Sequence, residues 1–116
     1  MIQIARIYDP AKKSDGWRVL VDRLWPRALK KENARVHLWM KDIAPSNALR
    51  KWFAHKPERW PEFQRKYRAE LIQKKELLAE LKHAEKVHRK LTLLFGAKDP
   101  KHNQAVVLVN VLRNKK

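Results

Sequence analysis

Short apolar runs, each closed by turn-forming residues, recur along the chain and predict four β-strands. Isoleucines alternate with more polar positions over residues 2–8 and predict the first strand. Residues 18–22 are short and apolar enough for a central strand, and the alternation over residues 36–40 predicts a third. Residues 91–95 are apolar almost throughout, which predicts the most buried strand of the four.

Apolar residues spaced three and four positions apart predict helices between the third and fourth strands. Ser46 directly precedes the first helical segment, so we expect it to be the N-cap. Pro57 and Pro61 mark the start of a longer helix, because proline is tolerated in a first turn, where its missing N–H has no helical partner. The pattern continues to residue 83 or 88, and it allows a break near residues 73–74.

Two interpretations fit the apolar segment over residues 103–113. Its β-branched content suits a strand, whereas its length and its apolar character on nearly every side suit a helix packed under the sheet. We favour the helix, because the polar loop before it then becomes a strand-to-helix junction. Residues 113–116 form a basic tail that we expect to be disordered. These elements predict a single α/β domain over residues 1–116, with a largely parallel sheet of about four strands flanked by helices.

The composition fits one globular domain and excludes several kinds of site. With 116 residues, of which 44% are apolar, the chain is long enough for one core but too short for two. It contains no Cys, which excludes disulfides, a thiolate nucleophile and a thiolate metal site. No apolar stretch approaches the roughly 18 residues that a membrane helix requires, and the N-terminus lacks the features of a signal peptide. We therefore expect a cytoplasmic protein that does not bind membranes.

The formal net charge of +16 suggests nucleic acid as a partner, because basic proteins attract phosphate backbones without reading sequence. The charge is spread evenly, however. Residues 1–58 hold 13 Lys and Arg against 6 acids, and residues 59–116 hold 15 against 6. A binding surface concentrates its charge, so a merely basic, solvated surface explains the composition equally well.

Two polar runs follow apolar strands and predict one site. The first covers residues 22–27 and the second residues 98–103. If both strands are parallel members of one sheet, both runs lie at carboxyl ends, where open α/β sheets bind their ligands. We therefore expect Arg23 or Arg27 to lie within contact distance of Asp99 or His102.

Within these runs, cationic and aromatic side chains are the candidate ligand contacts. Arg27 follows Pro26 in a turn, and its guanidinium suits a phosphate or a carboxylate through two parallel hydrogen bonds. The other candidate contacts are Arg23, Trp25, Lys98 and Asn103. Trp25 would stack on a ring, although a core position is the more frequent role for Trp. Asn103 also suits the cap of the last helix.

His102, Asp99 and Asp22 are the candidate catalytic residues. An imidazole with its unperturbed pKa exchanges protons near neutrality, so His102 would act as general acid or base beside the helix N–H groups, or it would simply hydrogen-bond to Asp99. Asp22 and Asp99 would orient the cations, although Asp22 could instead pair with a buried Arg to close the sheet. Asp22 and Arg23 enter one site only if the strand ends before them, because adjacent strand residues point to opposite faces.

Several longer runs resemble a known family. They are Ile7 to Pro10, Arg18 to Arg27, Trp39 to Ser46, Leu49 to Phe53, and His102 to Ala105, and together they resemble the bacterial YeaO-like family, a branch of domain of unknown function 488. The resemblance implies a small cytoplasmic α/β protein and no established activity. Where that family usually has Gly this chain has Ala28, which argues against a turn that needs a left-handed residue. Where it often has a second His the chain has Gln104, which argues against a metal site of two His.

These observations lead to two hypotheses of different class. In the first, a cationic pocket at the strand carboxyl ends binds a phosphate-bearing or carboxylate ligand, with Arg27 and Lys98 holding the anion and helix N–H groups near His102 completing the cradle. Acid or base catalysis by His102 is a further option. In the second, the chain is a non-catalytic, sequence-independent nucleic-acid-binding module. Neither hypothesis involves a metal or a cofactor, and the sequence leaves the oligomeric state open.

Overall fold

The computed structural model describes residues 1–114. Within this range the chain alternates strands with helices and adds three short 3-10 turns. The elements are β1 (Ile2–Arg6), β2 (Trp17–Leu20), α1 (Lys31–Ala34), β3 (Leu38–Trp39), α2 (Asn47–Phe53), α3 (Trp60–Ile72), α4 (Lys75–His88), β4 (Leu91–Phe95) and α5 (Gln104–Arg113).

The four strands form one parallel sheet in the order β1-β4-β2-β3. The last strand in sequence lies between the first two, so that Leu94 is in register with Ala5 on one side and with Leu20 on the other. The prediction of an α/β fold with a largely parallel sheet is therefore confirmed. All four strands end at one edge, and the two polar runs of the sequence follow strands that end there.

Most predicted helix boundaries are confirmed. The Ser46 hydroxyl accepts a hydrogen bond from the Leu49 N–H at 3.1 Å, as an N-cap does. The long helical region breaks where the pattern allowed it, because α3 ends at Ile72 and α4 begins at Lys75. The C-terminal apolar segment is the helix α5, and Asn103 caps it.

Two predictions about local structure were wrong. The third strand is much shorter than predicted, because only Leu38 and Trp39 pair with β2 before a 3-10 turn begins at Lys41. The basic tail is ordered at its start, since Arg113 lies in α5 and its guanidinium donates to the Ile2 carbonyl at 2.6 Å. The rest of the predicted tail beyond residue 114 lies outside the described residues.

The sheet has a large apolar core on one face, which the helices cover. Alternate residues of β4, such as Leu93 and Phe95, belong to this core together with Tyr67 of α3 and Leu108 of α5. Successive side chains of a strand point to opposite faces, so Leu94 belongs to a second, smaller cluster. Residues 21–37, and not a long helix, cover that second face. Their side chains in the second cluster include Trp25, Leu29, Ala34 and Val36.

The second face is polar at the amino end of the strands. Arg18 is only 4% exposed and donates to the Asp15 carboxylate and to the carbonyls of Ala34 and Arg35. Burial disfavours the Asp15 carboxylate, but hydrogen bonds from the Lys12 N–H and Arg18 outweigh it and hold its pKa below the usual value. This buried pair fixes the loop before β2, and it lies at the opposite end of the strands from the candidate site.

Among the helices of residues 1–114, none combines the length and apolar character needed to span a lipid bilayer.

Candidate functional site

A hydrogen bond joins the two polar runs at the carboxyl edge of the sheet. The Asp22 carboxylate accepts from the Gly96 N–H at 2.9 Å and also from the side-chain amide of Gln104. Since β2 ends at Leu20, Asp22 and Arg23 lie past the strand and are free of its alternation of faces. The structure therefore brings the segment after β2 against the segment after β4.

These segments line an open cleft with a volume of about 780 Å³. The lining includes seven of the residues singled out from the sequence, namely Asp22, Arg23, Trp25, Arg27, Lys98, His102 and Asn103. The eighth candidate, Asp99, does not line the cleft, but its carboxylate contacts the His102 ring. A volume of this size is typical of small-molecule sites.

One wall of the cleft comes from β1 and the residues after it. The Arg6 guanidinium donates to the Ala97 carbonyl at 3.1 Å and lies over the Tyr8 ring, 4.6 Å from its centroid. The Tyr8 hydroxyl in turn donates to the Arg27 carbonyl at 2.9 Å. This chain of contacts fixes Arg6 in place and ties β1 to the turn that carries Arg27.

Arg23 has a partly structural role. Its guanidinium donates to the Pro45 carbonyl at 2.9 Å and to the Ala44 carbonyl at 3.1 Å. Helix α3 holds the same segment, because Glu70 accepts from both the N–H and the hydroxyl of Ser46. Arg23 and α3 therefore build the wall that contains Ala44 and Pro45, and two of the five N–H donors of Arg23 are committed to it.

Trp25 and Arg27 differ in their surroundings. The Trp25 ring packs against the small core cluster and meets the Trp39 ring edge-on, while its Nε1 donates to the Leu29 carbonyl at 2.7 Å. Trp25 is therefore half-buried and serves both the core and the cleft. Arg27 is exposed, and its side chain has no hydrogen-bond partner within residues 1–114.

The turn after Arg27 contains a residue in the left-handed region. Ala28 has a φ of 59°, a conformation that glycine adopts freely and that crowds a Cβ atom. The expectation that Ala28 argues against a left-handed turn was therefore wrong. The turn keeps its shape despite the alanine.

His102 and Asp99 form a pair at the edge of the cleft. The His102 Nδ1 lies 2.7 Å from the Asp99 Oδ2, and the imidazole meets the Trp60 ring edge-on at 5.2 Å between centroids. Hydrogen bonds from the Lys101 N–H and from His102 lower the pKa of Asp99 below its usual value. The imidazole is thus oriented by a carboxylate, the arrangement that a general base uses and also a common structural contact.

Four N–H groups near His102, where an anion cradle was predicted, bond to side chains of the protein itself. The Asn103 Oδ1 accepts from the N–H groups of Ala105 and Val106, and the Asp99 Oδ1 accepts from those of Lys101 and His102. These N–H groups are satisfied by the protein's own side chains, so they do not point unpaired into the cleft. Asn103 acts as the helix cap, and it is 2% exposed.

The two aspartates do not orient the cations as expected. Among residues 1–114, Asp22 makes no ion pair with Lys or Arg, and Asp99 pairs with His102 instead. The alternative in which Asp22 closes the sheet through a buried Arg is also wrong, since the buried Arg18 pairs with Asp15. Neither Arg23 nor Arg27 makes an ion pair with Asp99 in this part of the chain.

Asp22 is the titratable group that the cleft perturbs most. Burial raises its pKa from 3.8 to about 6, and the hydrogen bonds from Gln104 and Gly96 oppose that rise. The carboxyl at the floor of the cleft therefore loses its charge in mildly acidic solution.

The opposite wall comes from α2 and the residues after it. Ala54 and His55 are consecutive residues with positive φ, at 47° and 58°, and both line the cleft beside Phe53. Strained backbone of this kind is frequent at binding sites, where the surrounding structure holds it in place. Arg50 and Lys51 add two cations to this side.

A family model described as "Inactive DUF488-N3 subclade" matches residues 1–116. The chain belongs to this DUF488 family. It is 44% identical over 115 residues to the uncharacterized protein YeaO of Escherichia coli K12, a match that covers 97% of both chains. It is also 49% identical over 70 residues to the uncharacterized protein Rv3073c of Mycobacterium tuberculosis H37Rv, covering 60% of this chain and 59% of that protein. The predicted resemblance to the YeaO-like family is thus confirmed. No solved structure matches the chain.

Sequence reasoning missed several lining residues of this DUF488 protein. Arg6 ends β1 and Tyr8 follows it, much as the polar runs follow β2 and β4, and this position was the available signal. Gln104 was noted only as a departure from the family pattern, yet it bonds to Asp22. The residues from α2, from the two positions after it and from α3 gave no signal, because nothing in the sequence shows that these helices reach the sheet edge. They are Arg50, Lys51, Phe53, Ala54, His55 and Phe63.

The described part of the DUF488 protein contains no group of three or more His, Asp or Glu side chains arranged to hold a metal ion.

Proposed function

We propose that this DUF488 protein binds a small phosphate-bearing or carboxylate ligand in the cleft at the carboxyl edge of its sheet. The observation that carries the proposal is the charge of the lining. Among the described residues, six cations line the cleft against one carboxylate, that of Asp22. The cations are Arg6, Arg23, Arg27, Arg50, Lys51 and Lys98.

The cations divide into those that build the cleft and those that remain for a ligand. Arg6 and Arg23 donate to backbone carbonyls, so they contribute charge from fixed positions. Arg27 and Lys98 are exposed at the rim, and their side chains have no hydrogen-bond acceptor within residues 1–114. A bidentate contact from Arg27, assisted by Lys98, would hold the anion while the fixed guanidinium groups supply a favourable potential.

The observations favour binding without turnover. The family description uses the word "inactive", which argues against a reaction at this site. The catalytic version of the proposal needs His102 as general acid or base, with Asp99 orienting it and Asp22 as a second carboxyl. The Asp99 Oδ2 lies 2.7 Å from the His102 Nδ1, which suits that role, but the His102 ring packs edge-on against Trp60 in the manner of a structural residue.

Calorimetry with inorganic phosphate, ribose 5-phosphate and citrate tests the proposal. Arg27→Ala is expected to weaken binding at least tenfold, because a charge-assisted contact of this kind contributes about 1.5–3 kcal/mol. Arg68→Ala is the matched control, since Arg68 is exposed on α3 and does not line the cleft. Equal losses in both variants would mean that only overall charge matters. Absence of binding by the unaltered protein would refute the proposal.

The second candidate function is sequence-independent binding of nucleic acid. The net charge of +16 favours it, because counterion release drives such binding without a defined pocket. The even spread of charge along the chain and the presence of a shaped cleft make it the weaker of the two proposals.

A further inference from the structure

The size and the apolar lining of the cleft restrict the identity of its occupant further than the charge of the cleft does. A phosphate ion fills only a small part of about 780 Å³, a volume that suits a ligand of many more atoms. Much of the lining is apolar. The apolar side chains include Phe53, Phe63, Pro26, Pro45 and Ala54.

Two aromatic side chains of this lining pack against each other. The Phe53 and Phe63 rings stack at 4.3 Å between centroids, and both side chains are almost fully buried. Leu24 stands on the rim and is 60% exposed, so it presents an apolar surface that nothing in residues 1–114 covers. A flat apolar ring packed against Leu24 and the apolar lining would remove the exposed Leu24 surface from water.

The floor of the cleft carries hydrogen-bond acceptors. Each Asp22 oxygen accepts one hydrogen bond from the protein, although a carboxylate offers about four lone-pair positions. The Gln104 amide uses its NH₂ group on Asp22, which leaves its carbonyl oxygen as an acceptor. These acceptors suit N–H donors on the edge of a ring.

We infer that the occupant is a nucleotide, with its phosphate at the basic rim beside Arg27 and Lys98 and an amino-bearing base against Leu24 and the apolar lining. The inference rests on the proposed anion site and adds the ring to it. A free mononucleotide and a nucleotide unit of a nucleic-acid strand offer the same chemistry.

Calorimetry with adenosine 5′-monophosphate, adenosine and ribose 5-phosphate separates the ring from the anion. We expect the nucleotide to bind at least tenfold more tightly than either fragment. If ribose 5-phosphate binds as tightly as the nucleotide, the ring assignment is overturned while the anion site stands. If adenosine binds as tightly, the anion site is overturned. Absence of binding by all three compounds overturns both.

Variants at the rim locate the ring. Leu24→Ala is expected to weaken nucleotide binding about tenfold, the loss that corresponds to 1.4 kcal/mol, and to leave ribose 5-phosphate unchanged. Ile72→Ala is the matched control, because Ile72 is 62% exposed and lies outside the cleft. An equal effect of the two substitutions would contradict the placement of the ring. Both positions are exposed, so neither change threatens the core.

The base edge is tested with inosine 5′-monophosphate, which has an oxo group where adenosine 5′-monophosphate has the amino group. The unaltered protein is expected to prefer the amino form at least fivefold, a modest discrimination for one hydrogen bond. Asp22→Asn is expected to abolish that preference, because the new amide can donate to the oxo group. No preference in the unaltered protein would overturn the role of Asp22.

Competition by a short single-stranded oligonucleotide shows whether the cleft takes a free mononucleotide or a nucleotide unit of a nucleic-acid strand. If the strand displaces the mononucleotide and Leu24→Ala weakens the strand equally, the cleft takes a nucleotide unit from nucleic acid. If the strand binds without displacing the mononucleotide, the ligand is the free nucleotide. In the second case the basic surface binds the strand elsewhere.

Discussion

The Asp22 carboxylate accepts a hydrogen bond from the Gly96 N–H at 2.9 Å, across 74 residues of sequence. The contact is close because Gly96 has no side chain. A Cβ atom at that position would lie 2.6 Å from the Asp22 Oδ2, a distance at which one of the two groups must move. The glycine after β4 thus determines where the carboxyl at the floor of the cleft can sit.

Gly96→Ala is expected to destabilise the protein by about 1–3 kcal/mol, since the new methyl displaces the carboxylate and costs it a hydrogen bond. The cost should fall in an Asp22→Ala background, where the clashing group is absent. Urea denaturation of the two single variants and the double variant measures this coupling. Additive losses would show that the clash does not set the cost.

Asp22→Asn is expected to change how stability depends on pH. The pKa of Asp22 rises from 3.8 to about 6 on folding, so the folded protein holds the proton more tightly than the unfolded chain. This contribution is fully present below about pH 4, is lost as pH rises towards 6, and amounts to about 3 kcal/mol.

The Asn variant should lack this loss between pH 4 and 6. Denaturation midpoints at several pH values, compared between the two proteins, isolate it from the other acids. Asp15 and Asp99 act in the opposite direction, because their pKa values are lowered and their stabilisation is lost only as pH falls below the usual carboxyl range. Parallel curves for the two proteins would contradict the raised pKa of Asp22.

Ala28→Gly is expected to stabilise the protein by about 0.5–1 kcal/mol. The left-handed conformation costs alanine about 1–2 kcal/mol, and the greater freedom of glycine in the unfolded chain offsets part of the gain. Ala69→Gly is the control of opposite sign, because Ala69 lies exposed inside α3, where glycine should cost about 1 kcal/mol. Thermal unfolding of both variants measures the two changes in stability. Destabilisation by Ala28→Gly would contradict a conformational strain at Ala28.

Binding to nucleic acid of arbitrary sequence should be weak and should fall steeply with salt. If six or more phosphates are contacted, affinity drops by about 10³ or more between roughly 50 and 200 mM salt. Fluorescence anisotropy with two unrelated sequences of equal length measures both the slope and the specificity. Tight binding of one sequence that persists at roughly 200 mM salt would contradict sequence-independent binding and would indicate specific recognition.

The sequence predicted the parts of the fold that depend on local patterns. The buried strand β4 and the caps at Ser46 and Asn103 follow from runs of apolar residues and from side chains that satisfy helix N–H groups. The length of β3 did not follow, because the alternation around Leu38 continues beyond the two residues that pair with β2.

The site was predicted as far as strand ends reveal it. The carboxyl edge of a parallel sheet brings together whatever follows each strand, and this placed Asp22, Arg27 and His102 in one cleft. The use of each side chain depends on tertiary distances that no pattern contains. Arg23 holds the carbonyl of Pro45, and Asp99 caps N–H groups in its own loop.

The strand order has a consequence for how this chain is made. β1 and β2 are synthesised before β4, but they do not pair with each other, since β4 lies between them. The sheet therefore has no centre until residues 91–95 have been synthesised, and most of its pairing joins residues far apart in sequence. A nascent chain of this protein can pair β2 only with the short strand β3 until β4 has been made, when that one strand completes the ladders to β1 and β2 together.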